Sequence, residues 1–369
     1  MSRFAFALAT PDDDAQLRAR MAADWMEGDI AVSFRREPSY FAGCSLQGSL
    51  AQVIKCTEQS SGRIIGMGAR LKTMAFVNGA ACQIGYLSDL RGAPEYRRGT
   101  LLARGYHFLQ ALHEVDPLPF YYSIIFAGND AATRNLVGAR AGLPDYTDSG
   151  AILTPALHLD LPKRVLQVPG VEFSRGSDAQ GDDIVTFLNQ QMARRQLAPC
   201  YAVADFLAGG RLRNLSFSNF FIARRGPKIV AALAAWDQVG IRQTHIERYS
   251  PGLRALRPLY NVLSALTPLK PLPAPGDRVP YLYFSCVAVA EDDCALFAGL
   301  LRHAYRALRT GPWHYAIIGL HERDPLLEVL DGYRAIAAAG RLYVVRYPQA
   351  ATEIMALDAR VPYVDMALA

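Results

Sequence analysis

Arg97, Arg98 and Gly99 stand between a run of strand character and a run of helical character in PEYRRGTLLARGYHFL, Pro94–Leu109. The opening turn of a helix has unpaired N–H groups and the positive end of the peptide dipole. Guanidinium charge beside such a turn is chemistry suited to an anion, phosphate first among them. The amides of Arg98, Gly99, Thr100 and Leu101 would point at a diphosphate, with Gly99 allowing close approach because it lacks a Cβ. The alternative is a solvated helix start with two surface arginines.

Other chemistries are poorly served. The seven histidines are scattered with no HExxH or paired ligand spacing, so no metal site is expected. GCSLQG at 43–48 has the wrong spacing for a nucleophile elbow, and no Walker or dinucleotide fingerprint is present. GRLRNLSFSNFF sets arginines beside aromatics, yet it reads more simply as the approach to a hairpin strand than as a nucleic-acid platform. The net charge of +5 is spread along 369 residues, which suits an anionic small molecule and supplies no basic arm for nucleic acid. Asp12, Asp13 and Asp14 precede any long apolar stretch, and IVAALAAW at 229–236 is too short to span a bilayer. Six cysteines without a CxxC pair read as reduced thiols. The expectation is a cytoplasmic protein with neither nucleic acid nor membrane as partner.

The elements that must position the basic turn recur in two copies. The first runs from a strand in FAFALAT through a helix near Pro11 and a hairpin, AQVIKCTE to IIGMGARLKTMAFV. The strand ACQIGYLSDLR, the helix after Gly99, the strand FYYSIIF, a helix near Asp130 and strand material in GAILTPALHLDL follow. The second copy repeats this from VEFSRG through a helix over 182–195, the hairpin NFFIARRGPKIVAALAAWDQ, the strand YLYFSCVAVA and a helix over 292–309. An insertion, RPLYNVLSALTPLKPLPAPGDR, holds a short helical stretch and a Pro-rich loop, and reads as a lid or a domain contact. Small or apolar residues at Leu101, Gly105, Phe108, Leu109 and Leu112 share one helical stripe with Phe297, Leu301, Ala304, Tyr305 and Leu308.

DLRGAPEYRRGTLL resembles the acyl-CoA-binding segment of the GNAT acetyltransferase superfamily: a strand, a Pro-x-Tyr-Arg turn, a basic glycine-rich loop and a helix. SIIFAGNDAATRNLVGARAGLPDY is similar to the later part of that fold. The resemblance implies an α/β (α+β) protein of two GNAT-like domains, each a mixed, mostly antiparallel twisted sheet flanked by helices. Residues 1–162 would bind acyl-CoA, residues 170–369 would be a degenerate copy, and 163–169 would link them. It further implies that Leu90, Arg91 and Gly92 offer backbone to the pantetheine arm. Arg97, Arg98, Gly99, Thr100, Leu101 and Asn129 would complete the coenzyme set. The loop departs from the pattern by lacking a second glycine and one residue. Many members carry a glutamate base on the strand, and here Ser88 falls at that place with Asp89 beside it. Asp89 reads either as the base or as an anchor for a neighbouring loop or helix, and Ser88 as a holder of water. The usual acid position offers Asn135-Leu136-Val137, which leaves Tyr146 as a substitute.

In the second copy Glu291-Asp292-Asp293-Cys294-Ala295 stands where the first has Glu95-Tyr96-Arg97-Arg98-Gly99. Exchanging cations for carboxylates opposes a diphosphate by an amount on the order of 1 kcal/mol per group even after screening. Only the first copy is therefore expected to bind acetyl-CoA or another acyl-CoA. The acceptor is expected to be an amine of a small molecule or peptide, met by the segment 24–43. Asp24, Glu27, Asp29 and Glu37 there would attract a cation, and Trp25, Phe34, Tyr40 and Phe41 would shape a pocket. The alternative is a helix–helix connection with its aromatics in the core. The reading is an acyl-CoA-dependent N-acyltransferase without a metal. A non-catalytic acyl-CoA-binding sensor is its rival, and transfer from a larger donor stays open.

Overall fold

The computed structural model describes residues 3–96, 100–138, 142–347 and 355–369. The first half runs β1 (Phe4–Leu8), α1 (Asp14–Ala22), β2 (Ile30–Arg35), α2 (Tyr40–Gln47), β3 (Leu50–Glu58), β4 (Arg63–Val77) and β5 (Ala80–Gly92). It continues through α3 (Leu101–Val115), β6 (Tyr121–Phe126), α4 (Asp130–Leu136), β7 (Asp145–Leu153) and β8 (Ala156–His158). The second half runs β9 (Glu172–Arg175), α5 (Gly181–Met192), β10 (Ala198–Pro199), β11 (Phe220–Arg225), β12 (Lys228–Trp236), β13 (Gln243–Tyr249) and α6 (Pro251–Ala265). It ends with β14 (Tyr281–Val289), α7 (Cys294–Leu308), β15 (Tyr315–Ile318), β16 (Leu320–His321), α8 (Leu327–Leu330), β17 (Ala335–Ile336) and β18 (Ala339–Arg346).

Two mixed sheets carry the molecule. One has the order β1-β3-β4-β5-β6-β18-β7-β16, with β10 on the end of β4 that β3 leaves free, and the other β17-β8-β15-β14-β12-β11-β9. β18, near the end of the chain, lies between β6 and β7 and pairs antiparallel with both, while β8 from the first half pairs antiparallel with β15 in the second sheet. Each half therefore completes the other's sheet. A further two-stranded ribbon, β2 with β13, ties the halves together and turns much of the 24–43 segment into strand and short helix. The long apolar runs expected for strands covered on both faces hold here: Phe220, Phe221, Ile222 and Ala231 through Trp236 are buried.

The α7 stripe expected from sequence is buried at all five positions. On α3 the buried face centres on Tyr106, Leu109 and His113, one position round from the expected stripe, with Leu101, Phe108 and Leu112 at its margin. Apolarity alone missed this because Tyr106 and His113 bury rings whose polar tips find partners: Tyr106 Oη lies 2.6 Å from Tyr146 Oη, and His113 Nδ1 lies 2.9 Å from Tyr121 Oη.

In each sheet one parallel strand pair opens like a V. β5 pairs with β6 only at Gly85↔Tyr121 and Tyr86↔Tyr122, although β5 continues to Gly92. β14 likewise pairs with β15 from Tyr281↔Tyr315 to Phe284↔Ile318 and continues to Val289. At the closed end of the first V, Gly85 is required because a Cβ there would lie 1.9 Å from Tyr121 Cδ1. Gly85→Ala is expected to cost about 1–3 kcal/mol, the usual penalty for overpacking a fully buried ring. A lowered denaturant midpoint with an unchanged slope is the measurement that checks it.

Candidate functional site

The V in the first half begins beside a bulge. Met67 and Ala69 of β4 pair with Arg91 and Ser88 of β5, so Asp89 and Leu90 face the single residue Gly68, and Asp89 takes φ +54°. A non-glycine residue in that region costs on the order of 1 kcal/mol or more, so the surroundings must hold it. They do so with charge. Asp89 Oδ2 lies 2.6 Å from Arg36 Nη2 and accepts from Tyr40 Oη at 2.9 Å. Arg36 also donates to Cys44 Sγ at 2.8 Å and Gln47 Oε1 at 2.9 Å, and its guanidinium stacks 4.8 Å from the Tyr40 ring centre. Burial pushes the Asp89 carboxyl up, but Arg36 foremost, then Arg91 and the Tyr40 hydroxyl, outweigh it and hold it below the usual aspartate range. The same carboxylate and deep burial push the Tyr40 phenol well up.

The second half repeats the bulge in the same register. Ala232 and Ala234 pair with Ala288 and Ser285, and Cys286 takes φ +53°. Ser285 thus corresponds to Ser88 and Cys286 to Asp89, and both strands read Tyr-x-Ser into the bulge. This register sets Glu95 against Asp292, one position off the pairing expected from sequence. Here the bulge is filled. Asp365 Oδ2 accepts from Ser285 Oγ at 2.6 Å, from the Cys286 amide at 2.8 Å and from Tyr201 Oη at 3.2 Å, while Tyr363 Oη accepts from the Val287 amide at 3.0 Å. In the first half Ser88 Oγ is buried without a hydrogen-bond partner.

The remaining expected residues are distributed as follows. Arg97, Arg98 and Gly99 lie outside the described residues. Thr100 caps α3, and Leu101 packs against the small cluster of Cys56, Ile65 and Ala93. Leu90 is half exposed, Arg91 donates from Nη1 to Asp24 O at 3.2 Å, and Gly92 pairs with Gly66. Asn129 is the N-cap of α4, accepting from the Ala132 amide at 3.1 Å. Tyr146 sits in the core under α3, bonded to Tyr106, with burial pushing its phenol up to about 12. Asp24 pairs with Arg20, Glu27 with Arg248 and Glu37 with Arg18, so these acids are committed within the chain. Trp25 is exposed, Phe34 stacks on Phe126 at 6.1 Å and Phe41 meets Tyr40 edge-on.

The approach to the helix also differs between halves. Twelve positions separate Asp89 from Leu101 at the start of α3, but eight separate Cys286 from Cys294 at the start of α7. Asp293 caps α7 with its own carboxylate, accepting from the Ala295 and Leu296 amides. A cleft enclosing about 300 Å³ beside it is lined by Arg195, Asp292 and Asp324, and Arg195 contacts both carboxylates, at 2.6 and 3.3 Å.

A splayed parallel pair beside a bulged strand, repeated in tandem, is shared with known structures. The fold is that of the GCN5-related N-acetyltransferases. A GCN5-related N-acetyltransferase from Sphaerobacter thermophilus matches with TM-score 0.58 at 11% identity, over 100% of this chain and 99% of that one. Saccharomyces cerevisiae N-myristoyltransferase with bound myristoyl-CoA matches with TM-score 0.59 at 10% identity, over 94% and 83%. A GCN5-related glucosamine N-acetyltransferase region of a fungal multi-domain β-N-acetylglucosaminidase matches with TM-score 0.61 at 12% identity, over 93% of this chain and 38% of that one. No protein-family model matches the chain, and no curated protein matches it by sequence.

Sequence reasoning missed Arg36 and Asp365, each far along the chain from the bulge it holds. The repeated Tyr-x-Ser was the legible signal for the second bulge. Arg36→Met leaves Asp89 buried and unpaired and is expected to cost about 3–5 kcal/mol, part of it recovered in Arg36→Met/Asp89→Asn, since Asn tolerates positive φ; denaturant unfolding measures both. Because the folded Asp89 titrates below its ordinary value of 3.8, its contribution is present above that pH and lost as pH falls through the folded value. Stability plotted against pH below 4 should therefore fall more shallowly in Asp89→Asn than in the wild type.

Proposed function

We propose that the protein is an acyl-CoA-dependent N-acyltransferase whose donor site is the V of the first half. The observation that carries this reading is the oxygen of Asp365 seated on Ser285 Oγ and the Cys286 amide. The chain supplies its own acyl-type oxygen to the second bulge, while the matching Ser88 hydroxyl is buried without a partner. A thioester carbonyl oxygen at Ser88 Oγ and the Asp89 amide would meet the same two donors. They are aimed where negative charge develops as an amine attacks. In the reaction the amine nitrogen bonds to the acyl carbon, the carbon–sulfur bond breaks, and the amine's proton is carried by the released coenzyme thiol.

The other roles follow. Leu90, Arg91 and Gly92 run along the open edge of β5 beside the pantetheine arm, and Arg97, Arg98, Gly99 and the start of α3 grip the diphosphate. Asp89 positions the bulge, since its carboxylate is engaged by Arg36 and Tyr40. Tyr146 belongs to the core, where its hydroxyl is taken by Tyr106. Residues 1–162 carry the donor site. Residues 170–369 are a closed copy, with the shortened approach to α7 and Asp293 in place of a phosphate. The matches to an N-myristoyltransferase and a glucosamine N-acetyltransferase region support an amine of a small molecule or peptide as acceptor, with acetyl-CoA or a longer acyl-CoA as donor. The reading fits a cytoplasmic enzyme.

Release of coenzyme thiol is the assay, with acetyl- and longer acyl-CoA donors against a panel of small and peptide amines. Ser88→Ala is expected to lower kcat by about 10²-fold with little change in the KM for donor, as for loss of one oxyanion donor. Arg98→Glu should instead raise that KM about tenfold or more with kcat retained. Saturable acyl-CoA binding without turnover across the panel would replace the enzyme with a sensor.

A further inference from the structure

α6, in the insertion that the first half lacks, is built inside out. Its inner side is polar: Asn261 Nδ2 donates to Leu272 O at 3.1 Å and Asn261 Oδ1 accepts from the Leu272 amide at 2.8 Å. Arg257 Nε donates to Leu272 O and Pro273 O at 3.1 and 3.0 Å. Its outer side is aliphatic. Leu256, Leu259, Val262, Leu263 and Leu266 are 60, 61, 62, 49 and 82% exposed, and their spacing lines one face. A surface helix of a globular domain ordinarily does the reverse, and a contiguous exposed aliphatic stripe marks an interaction site. The ribbon that leads into α6 adds to it: Ser250 N donates to Asp29 O, and Trp25 and Met26, 46 and 37% exposed, precede the partner strand β2.

Charge selects the occupant. Residues 248–276 contain Arg248, Arg254, Arg257 and Lys270 and no Asp or Glu. Arg248 is paired with Glu27, whereas Arg254, Arg257 and Lys270 make no ion pair with a described carboxylate. A second copy docked about a two-fold axis would set this cationic face against itself with no acid to answer it. An anionic bilayer offers both things the face lacks: an apolar layer about 5–10 Å deep for the leucines and phosphates for the guanidinia. We propose that α6 docks the protein on the surface of an anionic lipid bilayer. The expectation of no membrane partner rested on spanning length, and among the described residues no helix is long and apolar enough to cross a membrane. A helix lying in the interface needs neither.

The test is co-flotation of the full chain with phosphatidylcholine vesicles, with and without about one-third phosphatidylglycerol, at low and high salt. The expected result is partitioning at least about tenfold stronger on the anionic vesicles, weakened by salt and by Arg254→Glu, and reduced about tenfold in Leu259→Gln/Val262→Gln. These side chains face solvent, so circular dichroism and turnover on a soluble donor and amine should be unchanged in the double variant. Failure of turnover in the wild type would sink the enzymatic reading and leave this one standing. Equal recovery with neutral, anionic or no vesicles, or undiminished binding by the double variant, would overturn it. So would a dimer in sedimentation analysis that the double variant dissolves while vesicles recruit nothing.

Discussion

A buried guanidinium, Arg36, holds a strained turn of backbone in place, and the geometry of the donor site depends on it. Asp89 occupies φ +54° in the middle of a strand, a conformation that costs free energy and would relax into regular pairing without a reason to persist. The ion pair with Arg36, the hydroxyl of Tyr40 and the shell of Cys44 and Gln47 supply that reason in a dry environment where removing either charge strands the other. With the bulge fixed, Ser88 and the following amides face the V rather than a neighbouring strand.

The second half solves the same problem with the opposite polarity. There the bulge residue is Cys286, which brings no charge, and Asp365 reaches in from the end of the described chain to accept from its amide and from Ser285. Burial pushes that carboxyl up, so it serves as a hydrogen-bond acceptor rather than as one member of an ion pair. Tyr363 takes the next free amide of the strand. A duplicated backbone feature is thus braced from behind in one copy and plugged in the other. The eight-residue approach to α7, capped by Asp293, removes the turn that lies between strand and helix in the first copy.

The halves are not separable along the chain. β18 forms the only described bridge between β6 and β7, and β8 joins β15 in the opposite sheet, so neither sheet is complete until distant segments have met. Such pairings across long stretches of chain are slow to form and make the halves cooperative once formed. The exchange also brings Arg211 and Arg242 of the second half to atoms of other segments, Leu46 O and Ala367 O respectively. Strands from both halves thereby frame the region around the first bulge.

The sequence by itself determined the local elements and their repetition, because hydrophobic periodicity, turn chemistry and helix caps act over neighbouring residues. The hairpin 220–236, the helix after Asp293 and the paired Tyr-x-Ser strands were all legible in this way. The resemblance of DLRGAPEYRRGTLL supplied the fold. It did not reveal which stripe of α3 is buried, since Tyr106 and His113 enter the core only because Tyr146 and Tyr121 meet their polar tips. Nor did it tell that the amphipathic stripe of α6 faces outward, because a helical period states that one face is apolar and not which way it points. Only the tertiary structure decided that Asp89 belongs to Arg36, that Asp365 fills the second bulge and that the strands change sheets. Each is a contact between residues tens to hundreds of positions apart, fixed by burial and charge pairing that leave no local pattern in the chain.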